Sequence, residues 1–396
     1  MNSREALLHV YMISSPNILY PQPLGAIERF TLGLSKELSK KIAVSISGFG
    51  VGMEASNNFR LTTYSSNAFN AFRHFPQERA RGLIQGTIYD IHVFKDIQRV
   101  HKEKPIDIIH AHTIYAAPIA VTYKMILGIP FVNSVHNEVL TSKPFFTCDR
   151  VLPVSNCLKT FLATERGLTS RMTVLNDAID PQFYKPSLST EAAKVALGLS
   201  DYNVLLFVGR KCPQKGPEVL INAMPEILKH YPKTKAIFLG PDYYFGSSSS
   251  NYTAGLLTRA KELNVRSSLI FKQYVTDEEL KLHYTAADIF ICPSVWAEPF
   301  GLVLLEAMSY GKPVVASKVG AIPEIVLDKT TGLLFSPGNF NELASNVVYL
   351  FKYPTIRSEL GATGRTIVET QFSFEVISER CLEIYKEVLD NTLFRK

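Results

Sequence analysis

The feature that most limits what this chain can fold into is an alternation, run through twice, of short apolar segments and helical patterns. LLHVYMI (7–13), IAVSISG (42–48), IDIIHAH (106–112), IPFVNSV (129–135) and RVLPVS (150–155) have the length and unbroken apolarity of buried strands. Helical periodicity separates several of them, as at 30–41 and 116–128. The second half repeats the scheme with NVLLFVG (203–209), TKAIFLG (234–240), SLIFKQY (268–274), DIFICPS (288–294) and PVVASK (313–318), spaced by helical patterns at 219–231, 253–264, 277–287 and 341–352. Apolar strands joined by helices form a parallel sheet covered on both faces. Two such series predict an α/β chain of two Rossmann-like, doubly wound domains with an interdomain cleft.

The length of 396 residues agrees, being too great for one ordinary core. DPQFYKPSLST (180–190) has the composition of a linker. It divides an N-terminal domain (1–185) from a C-terminal one (186–372). A long amphipathic pattern at 373–394 closes the chain, and this last segment (373–396) is expected to pack back on the first domain.

No segment approaches the ~20 uninterrupted apolar residues of a membrane span. The apolar run near the start lacks the pattern of a secretory leader. The expectation is a cytoplasmic protein. Cys148, Cys157, Cys212, Cys292 and Cys381 are odd in number, and no two stand at C-x-x-C spacing. That argues for free thiols rather than a disulfide framework or a zinc site. The net charge of +6 lies wholly in residues 1–185, which hold 20 basic and 14 acidic residues. Within 71–104, Arg73, Arg79, Arg81, Lys95, Arg99, Lys102 and Lys104 stand against four acids, with Phe72, Phe75 and Leu83 interleaved. The plain reading is a solvated face. The functional one is peripheral contact with anionic lipid at the inner membrane face. No nucleic-acid partner is expected.

In doubly wound sheets ligands bind beyond the carboxyl ends of the strands. DIFICPSVWAEPFGLVLLEAM reads as strand, loop and helix. Pro299 delays the helix and Gly301 allows close backbone approach. The N–H groups of Phe300, Gly301 and Leu302 are then first-turn donors. Glu306 stands four residues after Leu302 and leans back toward the helix start. Glu298 lies in the loop at the same mouth. Two carboxylates around one helix N-terminus can accept hydrogen bonds from a polyhydroxyl ligand. The structural alternative is that Glu306 pairs with a buried Arg or Lys, because an unpaired buried carboxylate is costly. NVLLFVGRKCPQKGPEVLI is again strand, loop and helix. Arg210 follows the strand and Lys215 precedes the next helix, a positive pair suited to a diphosphate.

In the first domain, Gly25 opens a helix and permits a phosphate to approach. Glu28, one turn on, reads as packing or capping. His136 follows the strand IPFVNSV and fits contact with a sugar near its reacting carbon. A hydrogen-bonded loop histidine is the plainer alternative. His110 and His112 alternate at another strand end. Zinc would need a third ligand at organised spacing, so structural or acceptor-lining roles are expected and no metal.

EPFGLVLLE resembles the E-x7-E signature of glycosyltransferase family 4, retaining enzymes of GT-B fold. VGRKCPQKG resembles that family's diphosphate loop, and SKVGAIPEIV its next strand, turn and helix. IDIIHAH, FVNSVH, VLPVSN and VLNDAIDPQFYKP resemble its other stations in order, over nearly the whole chain. SVHNE and FVGRKCPQKGPEVLINAMPEI look similar to the spore-coat and cell-surface branch of spore-forming bacteria. The resemblance implies that Arg210 and Lys215 hold the donor diphosphate and stabilise the leaving group. It implies that Glu306 holds the ribose, and that Glu298 holds the transferred sugar beside the Pro299–Phe300–Gly301–Leu302 backbone. Gly25 and Gly209 are implied as donor-binding, Tyr274 and Val275 as neighbours of the base, and His136 as a catalytic contact. Three stations depart from the family. Gln273 stands where it often has Gly, Leu24–Gly25 where it has Gly-Gly, and Asp177–Ala178 where it has Asn-Gly. The last departure is read as a change in a hinge turn.

The implied activity is retaining transfer of a hexosyl or N-acetylhexosaminyl group from a nucleotide sugar, a UDP-sugar first, to a hydroxyl acceptor. That acceptor is a glycan, a lipid-linked molecule or a small molecule. There is no D-x-D motif, so metal-independent chemistry without a cofactor is expected. The alternatives are a nucleotide-sugar epimerase of similar fold and a non-catalytic nucleotide-sugar or glycan-binding module. A dinucleotide oxidoreductase would need G-x-G-x-x-G, and only GVGMEA (50–55) comes near it.

Overall fold

A computed structural model describes residues 7–14, 19–20, 25–50, 53–64, 78–112, 117–137, 147–166, 171–242 and 252–393. Contacts divide the chain into two compact units: Met1–Ala178 with Phe374–Lys396, and Ile179–Ser373. The first division falls ahead of the 185–186 boundary expected from composition. Ile179 N already donates to Phe372 O (3.0 Å) within the second unit.

In the first unit the strands are β1 (His9–Ile13), β2 (Leu19–Tyr20), β3 (Ala43–Gly50), β4 (Met53–Ala55), β5 (Phe59–Tyr64), β6 (Ile108–Ala111), β7 (Phe131–Val135) and β8 (Arg150–Pro153). They are ordered β4-β5-β3-β1-β6-β7-β8, with β2 beside β3. Every pairing is parallel except β4 with β5. Setting aside β2 and β4, the six parallel strands follow the doubly wound order 3-2-1-4-5-6. That order places a topological switch point between β1 and β6. Val10, Met12, Phe30, Leu34, Ile46 and Ile108 fill the core, together with Ile377, Ile384 and Tyr385 of the helix Phe374–Leu393. Each such burial contributes about 1.5–3 kcal/mol. The terminal helix is therefore part of this core and not an appendage.

In the second unit β9 (Asn203–Val208), β10 (Thr234–Leu239), β11 (Leu269–Lys272), β12 (Ile289–Cys292), β13 (Val314–Ser317) and β14 (Gly332–Phe335) form one parallel sheet. Its order, β11-β10-β9-β12-β13-β14, is again 3-2-1-4-5-6. The switch point lies between β9 and β12. Both motif-bearing loops leave the sheet from these two strands. Helices at Pro217–His230 and Phe340–Lys352 cover one face, burying Ile221, Met224, Leu343 and Val347 against Leu205, Phe238 and Ile291.

Several elements escaped the sequence pattern. β5 (FRLTTY) alternates polar and apolar residues, and β14 (GLLF) is only four residues long. The helix Glu78–Glu103 has a weakly apolar face and reads from sequence as a basic stretch. Among the described residues no helix is long and apolar enough to cross a membrane.

Candidate functional site

The loop after β9 runs from Gly209 through Arg210 to a short 3-10 turn at Pro213–Lys215. The loop after β12 runs from Pro293 to Gly301, where the helix Leu302–Ser309 begins. Val295 N donates to Gln214 O (2.9 Å), which ties the two loops together. Across that tie Lys215 Nζ lies 2.5 Å from Glu298 Oε1. The same oxygen accepts a hydrogen bond from Ser294 Oγ (2.6 Å). Lys215 also stands over the Trp296 ring, 5.7 Å from its centroid.

Glu298 is buried, with 5% of its side chain exposed, whereas Lys215 keeps 22%. Its backbone is fixed as well. Glu298 O accepts from Ala321 N (2.8 Å). Gly320 lies so close that a Cβ there would overlap the Glu298 backbone, and its φ of +59° also favours glycine. Burial and the Glu298 carboxylate together push the Cys292 thiol up to about 12.

Gly301 is the N-cap of Leu302–Ser309 with φ +119°, a conformation costly for any residue with a Cβ. Its carbonyl accepts from Leu304 N (2.9 Å). Ahead of it, the N–H groups of Leu302 and Val303 have no acceptor within the helix. Pro299 is half-buried and Phe300 buried, and Phe300 anchors the loop edge-on against Phe372, with centroids 6.0 Å apart.

Glu306 is 8% exposed. Two of its partners are phenols, Tyr184 Oη to Oε1 (3.1 Å) and Tyr284 Oη to Oε2 (2.7 Å). Tyr284 is stacked on Tyr310 at 5.3 Å, and burial and then the Glu306 charge hold its hydroxyl well above its ordinary range. The carboxylate thus accepts a hydrogen bond from a phenol at each oxygen, and nothing local in the sequence marks either tyrosine. Arg210 and Gly209 are half-buried at the end of β9. Tyr274 is 82% exposed beyond β11, with Val275 half-buried beside it.

Lys211 is a cation the sequence reading passed over. It is fully buried, donates to Gly240 O and Lys272 O (3.3 Å), and lies 3.5 Å from Asp242 Oδ1. One ammonium therefore joins the ends of β9, β10 and β11, and burial lowers its pKa.

In the first unit Gly25 is the N-cap of the helix Ala26–Leu38. The space a Cβ would need there is taken by the buried Glu28 carboxylate. At the ends of β6 and β7, His110, His112 and His136 stack in a row, with centroids 3.9 and 5.7 Å apart. His110 contacts Tyr385 Oη through Nδ1 (2.6 Å) and Ser134 Oγ through Nε2 (2.8 Å). Burial, and then the neighbouring His136, push its pKa down to about 3. His112 is lowered well below the usual histidine range by burial and by the other two rings. His136 Nδ1 lies 2.9 Å from Asp177 Oδ1. Asp177, read from sequence as part of a hinge turn, thus lies against the His136 ring. No sequence signal joins the two. Among the described residues no group of three His, Cys, Asp or Glu is arranged to hold a metal. Residues 15–18, 21–24, 65–77 and 138–146, which include the start of the basic stretch, lie outside the described residues.

Residues 189–366 match the family model described as Glycosyl transferases group 1, and residues 27–183 match that of Glycosyltransferase Family 4. The chain is 26% identical to Spore coat protein SA of Bacillus subtilis (strain 168), covering 65% of this chain and 72% of that one. It is 27% identical to the putative glycosyltransferase YtcC of the same organism, covering 65% and 67%. In fold it is similar to Anabaena Alr3699/HepE, whose structure is titled as a complex with UDP and glucose. The TM-score is 0.74 at 21% identity, over 96% of this chain and 100% of that one.

Proposed function

Since the chain belongs to the glycosyltransferases of group 1 and family 4, the first model matching residues 189–366 and the second residues 27–183, we propose that it is a retaining, metal-independent hexosyl or N-acetylhexosaminyl transferase. The donor is a nucleotide sugar held by the second unit. The observation that carries this reading is the Lys215–Glu298 pair at the β9/β12 switch point, beside the open N-terminus of Leu302–Ser309. One loop offers positive charge for a diphosphate, and the other offers a carboxylate and free N–H groups for sugar hydroxyls.

In the proposed mechanism Arg210 and Lys215 stabilise the departing nucleoside diphosphate as an oxocarbenium-like centre develops. Glu298 and the Phe300–Leu302 backbone orient the sugar, and Glu306 with its two tyrosines orients the ribose. Tyr274 and Val275 flank the base. The acceptor hydroxyl attacks from the face the diphosphate leaves, and its proton passes to the departing phosphate. His136 and the helix N-terminus at Gly25 are the contacts proposed for the first unit. The acceptor is a hydroxyl of a glycan, a lipid-linked molecule or a small molecule. The basic excess of residues 1–185 supports peripheral contact with an anionic membrane from a cytoplasmic location. Uridine is the first base to try, since the Anabaena structure is titled with UDP and glucose.

The test is slow hydrolysis of UDP-, GDP-, ADP- and dTDP-sugars, with Glu306→Gln and Arg210→Ala as controls and the product anomer read by NMR. One sugar nucleotide hydrolysed with retention, and lost in both variants, is the expected result. Binding without turnover of any donor would leave a binding module, and inversion would end the retaining mechanism.

A further inference from the structure

Lys211 stands just past the end of β9 and is fully buried, yet its ammonium reaches the ends of two other strands. It donates to Gly240 O, one residue past β10, and to Lys272 O at the last residue of β11 (3.3 Å). We propose that Lys211 is a positioning residue that fixes the spacing between two parts of the donor site, Arg210 after β9 and Tyr274–Val275 after β11. The proposal rests on the transferase reading of that site, and its test tells the two apart.

On the side of β10 the backbone already holds the segment around Lys211. Gly209 N donates to Leu239 O (2.9 Å) and Lys211 N to Pro241 O (2.8 Å). Gly240, at φ +132°, has no room for a Cβ, which would strike Gly209 O. The side of β11 is different. In the sheet β11 pairs with β10 and not with β9, so no strand pairing joins it to the segment that carries Arg210. The Lys211 side chain makes that link across the intervening strand. Lys272 O accepts from Gly240 N (3.2 Å) as well as from the ammonium, and it lies two residues before Tyr274. The charge is balanced, as burial requires, by Asp242, whose Oδ1 lies 3.5 Å from Nζ. Asp242 is itself anchored, accepting from Thr253 Oγ1 and from Thr253 N (3.3 Å) at the start of the helix Tyr252–Glu262.

A ligand that spans two subsites gains affinity from their fixed separation, and a fragment that fills one subsite does not. Loss of the ammonium therefore has a signature that general loosening of the unit lacks. It weakens a nucleoside diphosphate and spares the nucleoside and the pyrophosphate taken separately.

The experiment is calorimetric titration of UDP into the full chain and into Lys211→Met, which keeps the length of the side chain and loses its charge. Uridine and pyrophosphate are titrated into both by ligand-observed NMR at millimolar concentration. If another of the nucleoside diphosphates binds in place of UDP, it and its nucleoside are used. UDP affinity is expected to fall about 10-fold in Lys211→Met, with uridine and pyrophosphate unchanged. Equal losses for UDP and for both fragments, or full UDP affinity in the variant, overturn the proposal. Should Lys211→Met fail to fold, Lys211→Gln, whose amide can still donate to one carbonyl, carries the same comparison. Absence of any nucleoside diphosphate binding in the unsubstituted chain refutes the donor reading and this proposal with it, and it shows before any substitution is made.

Discussion

Lys215 Nζ and Glu298 Oε1 lie 2.5 Å apart although 83 residues separate them along the chain. The contact exists because β9 and β12 are neighbours across the switch point, so the loops that follow them leave the sheet side by side. The ammonium rests on the carboxylate. A donor diphosphate would draw Lys215 toward itself and free the carboxylate for sugar hydroxyls. Loss of either member therefore acts on binding and stability together.

Glu306 has two phenol donors, and a neutral amide of the same shape accepts more weakly than a carboxylate. Glu306→Gln is expected to destabilise the second unit by about 1–3 kcal/mol, as for hydrogen bonds to a charged group. Tyr284→Phe should lose a similar amount. Urea midpoints check both. A change within error in each would mean that the phenols hold nothing in place.

Gly320 lies against the Glu298 backbone at φ +59°. Gly320→Ala must adopt a left-handed conformation, at about 1–2 kcal/mol, and must also displace the loop that carries Glu298. Turnover should fall further than stability. Full turnover in this variant would show that the exact position of Glu298 is immaterial.

His110 is kept neutral in the folded chain, its pKa falling from 6.5 to about 3. The unfolded chain takes up that proton near 6.5 and the folded chain does not. Excluding it therefore costs nothing above 6.5 and costs progressively more stability as pH falls toward 3. The slope is about 1.4 kcal/mol per pH unit for one group. His110→Asn should flatten the decline of the unfolding midpoint between neutral pH and about pH 4. An equal slope in the variant would contradict this.

If Arg210, Lys215 and the helix N-terminus carry the diphosphate charge, chelation should leave donor turnover unchanged. A loss with EDTA that magnesium restores would place a cation in the reaction.

The fold was legible because buried parallel strands are apolar runs of fixed length, and most such runs are strands here. The elements missed were those with mixed faces, β5 and Glu78–Glu103, or very short ones such as β14. In the second unit, Lys215, Glu298 and Glu306 stand out in the sequence because each follows a strand or a helix start at fixed spacing. Their partners could not. Tyr184 stands 122 residues from Glu306, and nothing local marks it as a donor. Asp177 gave no sign of His136, and Lys211 hid beside Arg210, since two adjacent basic residues do not reveal which one turns inward.

The most direct test is calorimetric titration of UDP and a UDP-sugar, with the other sugar nucleotides as alternates, into the unsubstituted chain, Lys215→Ala and Glu298→Gln. The donor reading predicts that Lys215→Ala weakens nucleotide and nucleotide sugar alike, on the order of 10–100-fold. Glu298→Gln should weaken the sugar nucleotide and spare the free nucleotide. Binding that ignores both substitutions would make the pair a structural clasp and contradict a donor site at the β9/β12 switch point.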